Sequence, residues 1–202
     1  MDKYMKNFLQ QIKQNNKKES GFTLIEVLVA LTLFAFAITG VITIAVQNGI
    51  NVNSAKNRLE ANYLAQEGIE LMRAKRDSYV LSGSSYLQGW QNFAADVTSA
   101  CTGPCDVDVN SLANLVPTSG GGFYSCVPSS VCNLSYSTDG FYIHGTGAST
   151  PFNRELTITP FTSPGASFPN ELQITSTVTW NEGFTTQSLS MSEGLFNWYT
   201  SN

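Results

Sequence analysis

The pattern of apolar and polar positions divides the chain into a long apolar run, an amphipathic stretch, a polar middle and an alternating carboxy-terminal part. Residues 22–46 form 25 consecutive positions that carry one charge, Glu26. A helix of that length rises about 37 Å, which is enough to cross a bilayer with some tilt. The run therefore predicts a membrane helix.

The helix is predicted to continue through residues 47–80, because this stretch contains no proline and carries apolar or small side chains at helical spacing. Two stripes result: Ala61, Leu64, Ala65, Gly68, Leu71 and Met72 form one, and Val52, Ala55, Leu59 and Tyr63 form the other. Two stripes imply one face that packs on a globular domain and one that packs on neighbouring chains. A single wide stripe that faces the core is an equal alternative.

The carboxy-terminal part, residues 140–202, alternates with period two, which is typical of strands with one buried face. Segments 171–180 and 185–192 predict two strands joined by a turn, and segments 140–144 and 154–161 predict two more. The expected fold class is α+β. A long N-terminal helix would pack against a small antiparallel sheet of three or four strands.

Residues 81–139 are rich in Ser, Gly, Pro and Asn and are predicted to connect the helix to the sheet. Within this region, Leu87, Trp90 and Phe93 stand at helical spacing. They predict a short helix whose apolar side chains pack under the sheet.

The four cysteines, Cys101, Cys105, Cys126 and Cys132, also lie in this region. An even number of cysteines in an exported segment predicts two disulfides. Three pairings are possible, and we favour the local one because each close pair brackets a short turn-rich stretch. A zinc site is the alternative, but spacings of three and five intervening residues are not the usual close pairs of zinc ligands.

Glu26 is the unusual residue of the apolar run, because an ionisable side chain inside a membrane segment is costly and normally has a function. It is expected to meet a positive group. A free α-amino group, which is charged at neutral pH, would be a suitable partner.

The segment from the basic Lys17 and Lys18 through Gly21 and Phe22 to Glu26 resembles the N-terminal signal of type IV pilins and pseudopilins, and the match is unbroken over GFTLIE. The resemblance implies that a membrane-embedded prepilin peptidase cleaves between Gly21 and Phe22 and methylates the new amino terminus on Phe22. It also implies that Glu26 pairs with an amino terminus during filament assembly.

The same resemblance divides the chain into a cleaved basic leader (1–21), a transmembrane and filament-core half of the helix (22–46) and an amphipathic half (47–80). It implies a single-pass precursor in the bacterial inner (cytoplasmic) membrane, with the amino terminus in the cytoplasm as the positive-inside rule favours. The mature chain would then enter an extracellular or periplasmic filament.

The partners that the resemblance implies are the prepilin peptidase, the major pilin with other filament subunits, and the cytoplasmic membrane. The later strand pattern is similar, more loosely, to minor pilins of the type IV pilus modification protein group. Many pilins carry a helix-breaking proline in the membrane half. This sequence has none, so local melting of the helix is not expected from proline, although Gly40 should still soften it.

The charge distribution argues against nucleic acid as a partner. The leader holds five lysines against two acidic residues, whereas the part after Glu26 holds six basic residues against twelve acidic ones. Arg154 is the only basic residue beyond Arg76. The part after Glu26 therefore lacks the basic patch that binding to a phosphate backbone requires.

The sequence offers no catalytic set, because His144 is the single histidine and is expected to be structural. Asp106, Asp108 and Asn110 alternate like the start of a calcium loop, but the pattern then fails at Ser111 and Pro117. We interpret this segment as a solvated acidic loop. Neither an enzymatic activity nor a cofactor is expected.

The leading function is thus a structural subunit, a minor pilin. Within the same class, the alternative is a pseudopilin of a type II secretion or DNA-uptake system. A membrane-anchored adhesin or binding module that keeps its leader and never polymerises is the alternative from a different class.

Overall fold

The structure is a computed structural model that describes residues 21–112 and 122–197. Of the predicted leader it includes Gly21 alone, and Pro117 lies outside the described residues. The chain divides into two compact units, the first ending at Asn51 and the second beginning at Val52.

The first unit is the beginning of helix α1, which runs from Leu24 to Ser82. The helix is continuous through Gly40 and Gly49, and no side chain from Gly21 to Asn51 is buried. Its apolar side chains are exposed in every direction around the axis. A helix that is apolar all round requires an apolar environment, such as lipid or other helices.

The described part of the second unit contains the rest of α1, two further α-helices, a short 3-10 helix and seven strands. The helices are α2 (Tyr86–Ala100), α3 (Val109–Leu112) and the 3-10 helix η1 (Ser129–Cys132). The strands are β1 (Cys105–Asp106), β2 (Tyr124–Ser125), β3 (Asn133–Tyr136), β4 (Tyr142–Ile143), β5 (Ala148–Phe161), β6 (Glu171–Glu182) and β7 (Thr185–Phe196).

The strands form one antiparallel sheet in which β5, β6 and β7 are successive neighbours. The other edge of β5 pairs with β1 and β3, which in turn pair with β2 and β4. The α+β fold with a long N-terminal helix is confirmed. The described sheet has seven strands instead of three or four, because β1, β2 and β3 are too short to show a period-two pattern.

The first of the two predicted stripes on α1 packs against the sheet: every member from Ala61 to Met72 is buried. At Gly68 the helix comes so close to the sheet that an added Cβ would lie 2.9 Å from Ser176 Oγ and 3.2 Å from Arg154 Cδ. The second stripe is exposed, since Leu59 and Tyr63 are 54% and 61% accessible. A single wide stripe that faces the core is therefore excluded.

The predicted short helix is α2, which begins at its N-cap Ser85. Trp90 and Phe93 are buried with Ala94 and Val97, and the indole N–H of Trp90 donates to the carbonyl of Pro169 (2.7 Å). The prediction is wrong for Leu87, which is 43% exposed. The buried face of α2 is centred on residues 90, 93, 94 and 97, and Leu87 lies at its margin.

Both disulfides are present within the second unit. Cys101 at the end of α2 is bonded to Cys105 in β1, and Cys126 is bonded to Cys132 at the end of η1. The pairing is the local one. The first bond ties α2 to the sheet, and the second closes the segment that carries η1.

A cluster of buried charges joins α1 to the sheet. The Arg154 guanidinium on β5 is fully buried, and its Nε lies 3.0 Å from both carboxylate oxygens of Asp106. Its other nitrogens donate to the backbone carbonyls of Leu64 (3.2 Å) and Val107 (2.7 Å) and to Glu67 Oε2 (3.2 Å). Burial raises the pKa of Glu67, and the Arg154 charge opposes that rise.

The acidic segment is therefore not a solvated loop, and that interpretation was wrong. Asp106 and Asp108 are both fully buried. Asp106 Oδ2 lies 2.8 Å from His144 Nε2, and Asp108 accepts from the backbone N–H of His144 (2.9 Å). The carboxylates are buried because a guanidinium, an imidazole and backbone donors lie within reach of them.

Arg154→Ala should lower the free energy of unfolding by about 3–5 kcal/mol, because it leaves Asp106 buried without its cationic partner. Arg73→Ala is the matched control, since Arg73 also joins α1 to the sheet, through Glu193, but is partly exposed. It should cost about 1 kcal/mol or less. Urea unfolding of the full chain in detergent micelles measures both values, and equal losses would contradict the role given to Arg154.

The stability of the second unit should fall as the pH rises above about 10, the ordinary pKa of tyrosine. Burial raises the pKa of Tyr79 and of Tyr142, and the hydrogen bonds from their hydroxyls to Asp96 (2.6 Å) and Glu60 raise it further. The folded chain thus keeps phenolic protons that the unfolded chain has lost. Urea unfolding at neutral pH and at pH about 11 should show a smaller loss for Tyr79→Phe than for the wild type; equal losses would contradict this.

Candidate functional site

The candidate site lies at the amino-terminal end of α1. Residues Gly21, Phe22 and Thr23 precede the helix, and the Glu26 backbone N–H donates to Thr23 Oγ1 (3.3 Å). The Val27 N–H donates to the Thr23 carbonyl (3.2 Å). Thr23 is therefore the N-cap of α1.

The role of Thr23 was missed in the sequence, although the signal was present. Thr23-Leu-Ile-Glu26 has the Ser/Thr-x-x-Glu spacing of a capping box. The cap starts the helix at Leu24 and places Glu26 in its first turn. The positive end of the helix dipole favours a carboxylate at that position.

The Gly21–Phe22 bond lies in exposed, non-helical chain. Phe22 is 79% accessible, and a Cβ added to Gly21 would meet no atom within 4 Å. The packing of the described chain therefore does not require glycine at position 21. A requirement for it would come from a partner that binds this segment.

Polar side chains of the apolar run bond to their own helix, with one exception. The hydroxyls of Thr32, Thr39 and Thr43 donate to carbonyls one turn earlier, at 2.8, 2.8 and 2.9 Å. The Glu26 carboxylate is exposed and has no hydrogen-bond or ion-pair partner among the described residues. Glu26 is thus the charged group of this run that is available to a partner on another molecule.

The structure brings Gly21, Phe22 and Glu26 together around one helix end, whereas the four cysteines belong to the second unit. His144 is likewise in the second unit, where its buried ring lies 4.6 Å from that of Tyr124, measured between centroids. Its partners are the structural carboxylates of Asp106 and Asp108.

A family model described as the prokaryotic N-terminal methylation motif matches residues 16–42. The chain carries a type IV prepilin motif. The prepilin motif belongs to a structural family and implies processing by prepilin peptidase and membrane anchoring before assembly.

The described part of α1 agrees with the anchoring that the prepilin motif implies, because it is long and apolar enough to cross a membrane. The matched residues end within the apolar run, so the motif does not reach the second unit. No curated protein matches the chain, and no solved structure does.

Proposed function

We propose that the chain is a minor pilin, a structural subunit of a type IV pilus-like filament. Prepilin peptidase would cut it between Gly21 and Phe22, methylate Phe22 and release residues 22–202 for assembly. The observation that carries this proposal is the carboxylate of Glu26, which has no partner among the described residues, in an apolar run whose threonines bond to their own helix.

The partner of Glu26 in the filament is the α-amino group of Phe22 on an adjacent subunit. Cleavage creates this positive charge four residues before Glu26. In an apolar helix bundle, two opposite charges attract far more strongly than in water. Helices that slide past each other would separate the charges, so the pair favours one axial offset between subunits.

The exposed second stripe of α1 provides further contact area for assembly. Val52, Leu59 and Tyr63 remain more than half accessible after the first stripe has packed on the sheet. When a neighbouring helix covers such a row, apolar surface is removed from water, and this lowers the free energy of assembly.

The second unit favours a displayed minor pilin over a subunit of a DNA-uptake system. It contains two disulfides, which persist in oxidising surroundings. Arg154, the sole basic residue beyond Arg76, is fully buried. The part of the chain after α1 therefore exposes no cationic side chain to nucleic acid.

Gly21→Ala should leave the uncut precursor in the membrane, because the requirement for glycine lies in recognition by the peptidase. Gly40→Ala is the matched control, since a Cβ there also meets nothing within 4 Å. Mass spectrometry of the amino terminus should find intact Met1 in the Gly21 variant and methylated Phe22 in the control. A mature Phe22 terminus in the Gly21 variant would refute the cleavage site.

Glu26→Ala should be cleaved normally but enter filaments more than about tenfold less often, because truncating one member of a buried charge pair costs about 2–5 kcal/mol. Val27→Ala, which shortens the adjacent apolar side chain, is the control and should be incorporated. The measurement is the ratio of this subunit to the major subunit in sheared filaments.

Normal incorporation of the Glu26 variant would refute the pairing. If the wild-type protein keeps Met1 and is absent from filaments, it is instead a membrane-anchored binding module.

A further inference from the structure

The face of the sheet that points away from α1 carries a polar depression of about 340 Å³, here called the outer-face pocket. Its polar lining includes Ser129, Asn133, Asn153, Glu155, Asn181 and Thr186. Asn153 and Glu155 alternate along β5 with the buried Phe152, Arg154 and Leu156, so they lie on the side opposite the core. A volume of this size is at the lower end of the range for small-ligand sites, about 300–1,000 Å³.

Bonds within the protein hold the lining residues on two sides of the pocket. On one side, η1 lies beside β5. The Cys126–Cys132 disulfide closes the segment that carries η1, and the Asn153 side chain donates to the Ser129 carbonyl (2.7 Å). On the other side, Asn181 and Thr186 lie opposite each other near the end of the β6–β7 hairpin, and Thr186 Oγ1 donates to Asn181 Oδ1 (2.9 Å). The lining on both sides is thus held by bonds within the protein.

The same bonds orient the amides in the pocket. Asn153 Nδ2 donates both to Ser129 and to Asn133 Oδ1 (3.1 Å), so the Asn153 carbonyl oxygen is left as an acceptor. Asn133 and Asn181 accept through their oxygens, which leaves their Nδ2 groups as donors. The pocket therefore presents oriented donors and acceptors in close alternation.

Glu155 adds an acceptor that lacks a donor. Its carboxylate has no hydrogen-bond partner among the described residues, and burial, followed by the charge of Asp106, raises its pKa. A hydroxyl group of a ligand would supply the missing donor. Pro151, Thr179 and Trp180 complete the lining.

The charges of the pocket select against ionic ligands. No cationic side chain lines it, which disfavours phosphate, sulfate and carboxylate groups. A single carboxylate is a poor site for a divalent cation, and two of the three amide oxygens already accept hydrogen bonds. A peptide strand would pair at the edge of the sheet, whereas this pocket lies on its face.

We propose that the outer-face pocket binds a neutral saccharide unit. Adjacent hydroxyls of a sugar ring both donate and accept, which is the alternation that Asn133, Asn153, Glu155 and Asn181 display. The inference does not depend on cleavage or assembly, because every residue of the pocket lies in the second unit.

The test applies the full chain, purified in a detergent without a sugar headgroup, to a printed array of neutral and sialylated oligosaccharides. The neutral oligosaccharide with the strongest signal is then titrated by calorimetry. Glu155→Ala and Asn181→Ala should each weaken binding at least about tenfold, which corresponds to the loss of about one hydrogen bond to a polar ligand.

Gln173→Ala is the matched control, because it removes an exposed side-chain amide from the same face outside the pocket. It should bind as the wild type does. Urea unfolding of each variant shows whether the sheet is intact. Binding to no neutral oligosaccharide, preference for the sialylated ones, or unchanged affinity in both pocket variants would each overturn the proposal.

Discussion

Arg154 places a full positive charge in the middle of the second unit, and the surrounding elements are arranged to neutralise it. The guanidinium extends from β5 to a carboxylate on β1 and to a carbonyl and a carboxylate on α1. Desolvating a charge costs several kcal/mol, so it is tolerated only where partners are already in place. Helix α1 and strands β1 and β5 must therefore come together in one arrangement for this charge to be buried.

Two sequence features allow that arrangement. Gly68 removes the Cβ that would otherwise contact Ser176 and Arg154, so α1 can approach β5 closely enough to offer the Leu64 carbonyl. The Cys101–Cys105 disulfide holds β1 beside the end of α2. Its Cys105 directly precedes Asp106 in the chain. The outer face of the same strands is then free to carry polar side chains such as Asn153 and Glu155.

The long elements could be predicted because each repeats its pattern over many residues. The stripe from Ala61 to Met72 and the alternation in β6 are such repeats, and the motif around Glu26 depends on adjacent residues alone. The network of Arg154 could not be predicted, because Arg154 is separated from its bonded partners by 47 to 90 positions. One clue was available: Arg154 falls in the buried phase of a strand between Phe152 and Leu156.

The threonines of the apolar run have a consequence for how α1 meets its neighbours. Because Thr32, Thr39 and Thr43 donate their hydroxyl protons to carbonyls of their own helix, they have no free donor to offer to a neighbouring helix. In an apolar environment, residues 27–46 then offer a neighbouring helix no charge that would favour one rotation about the axis. In the proposed filament, the carboxylate of Glu26 would set the angular orientation of the helix as well as its height.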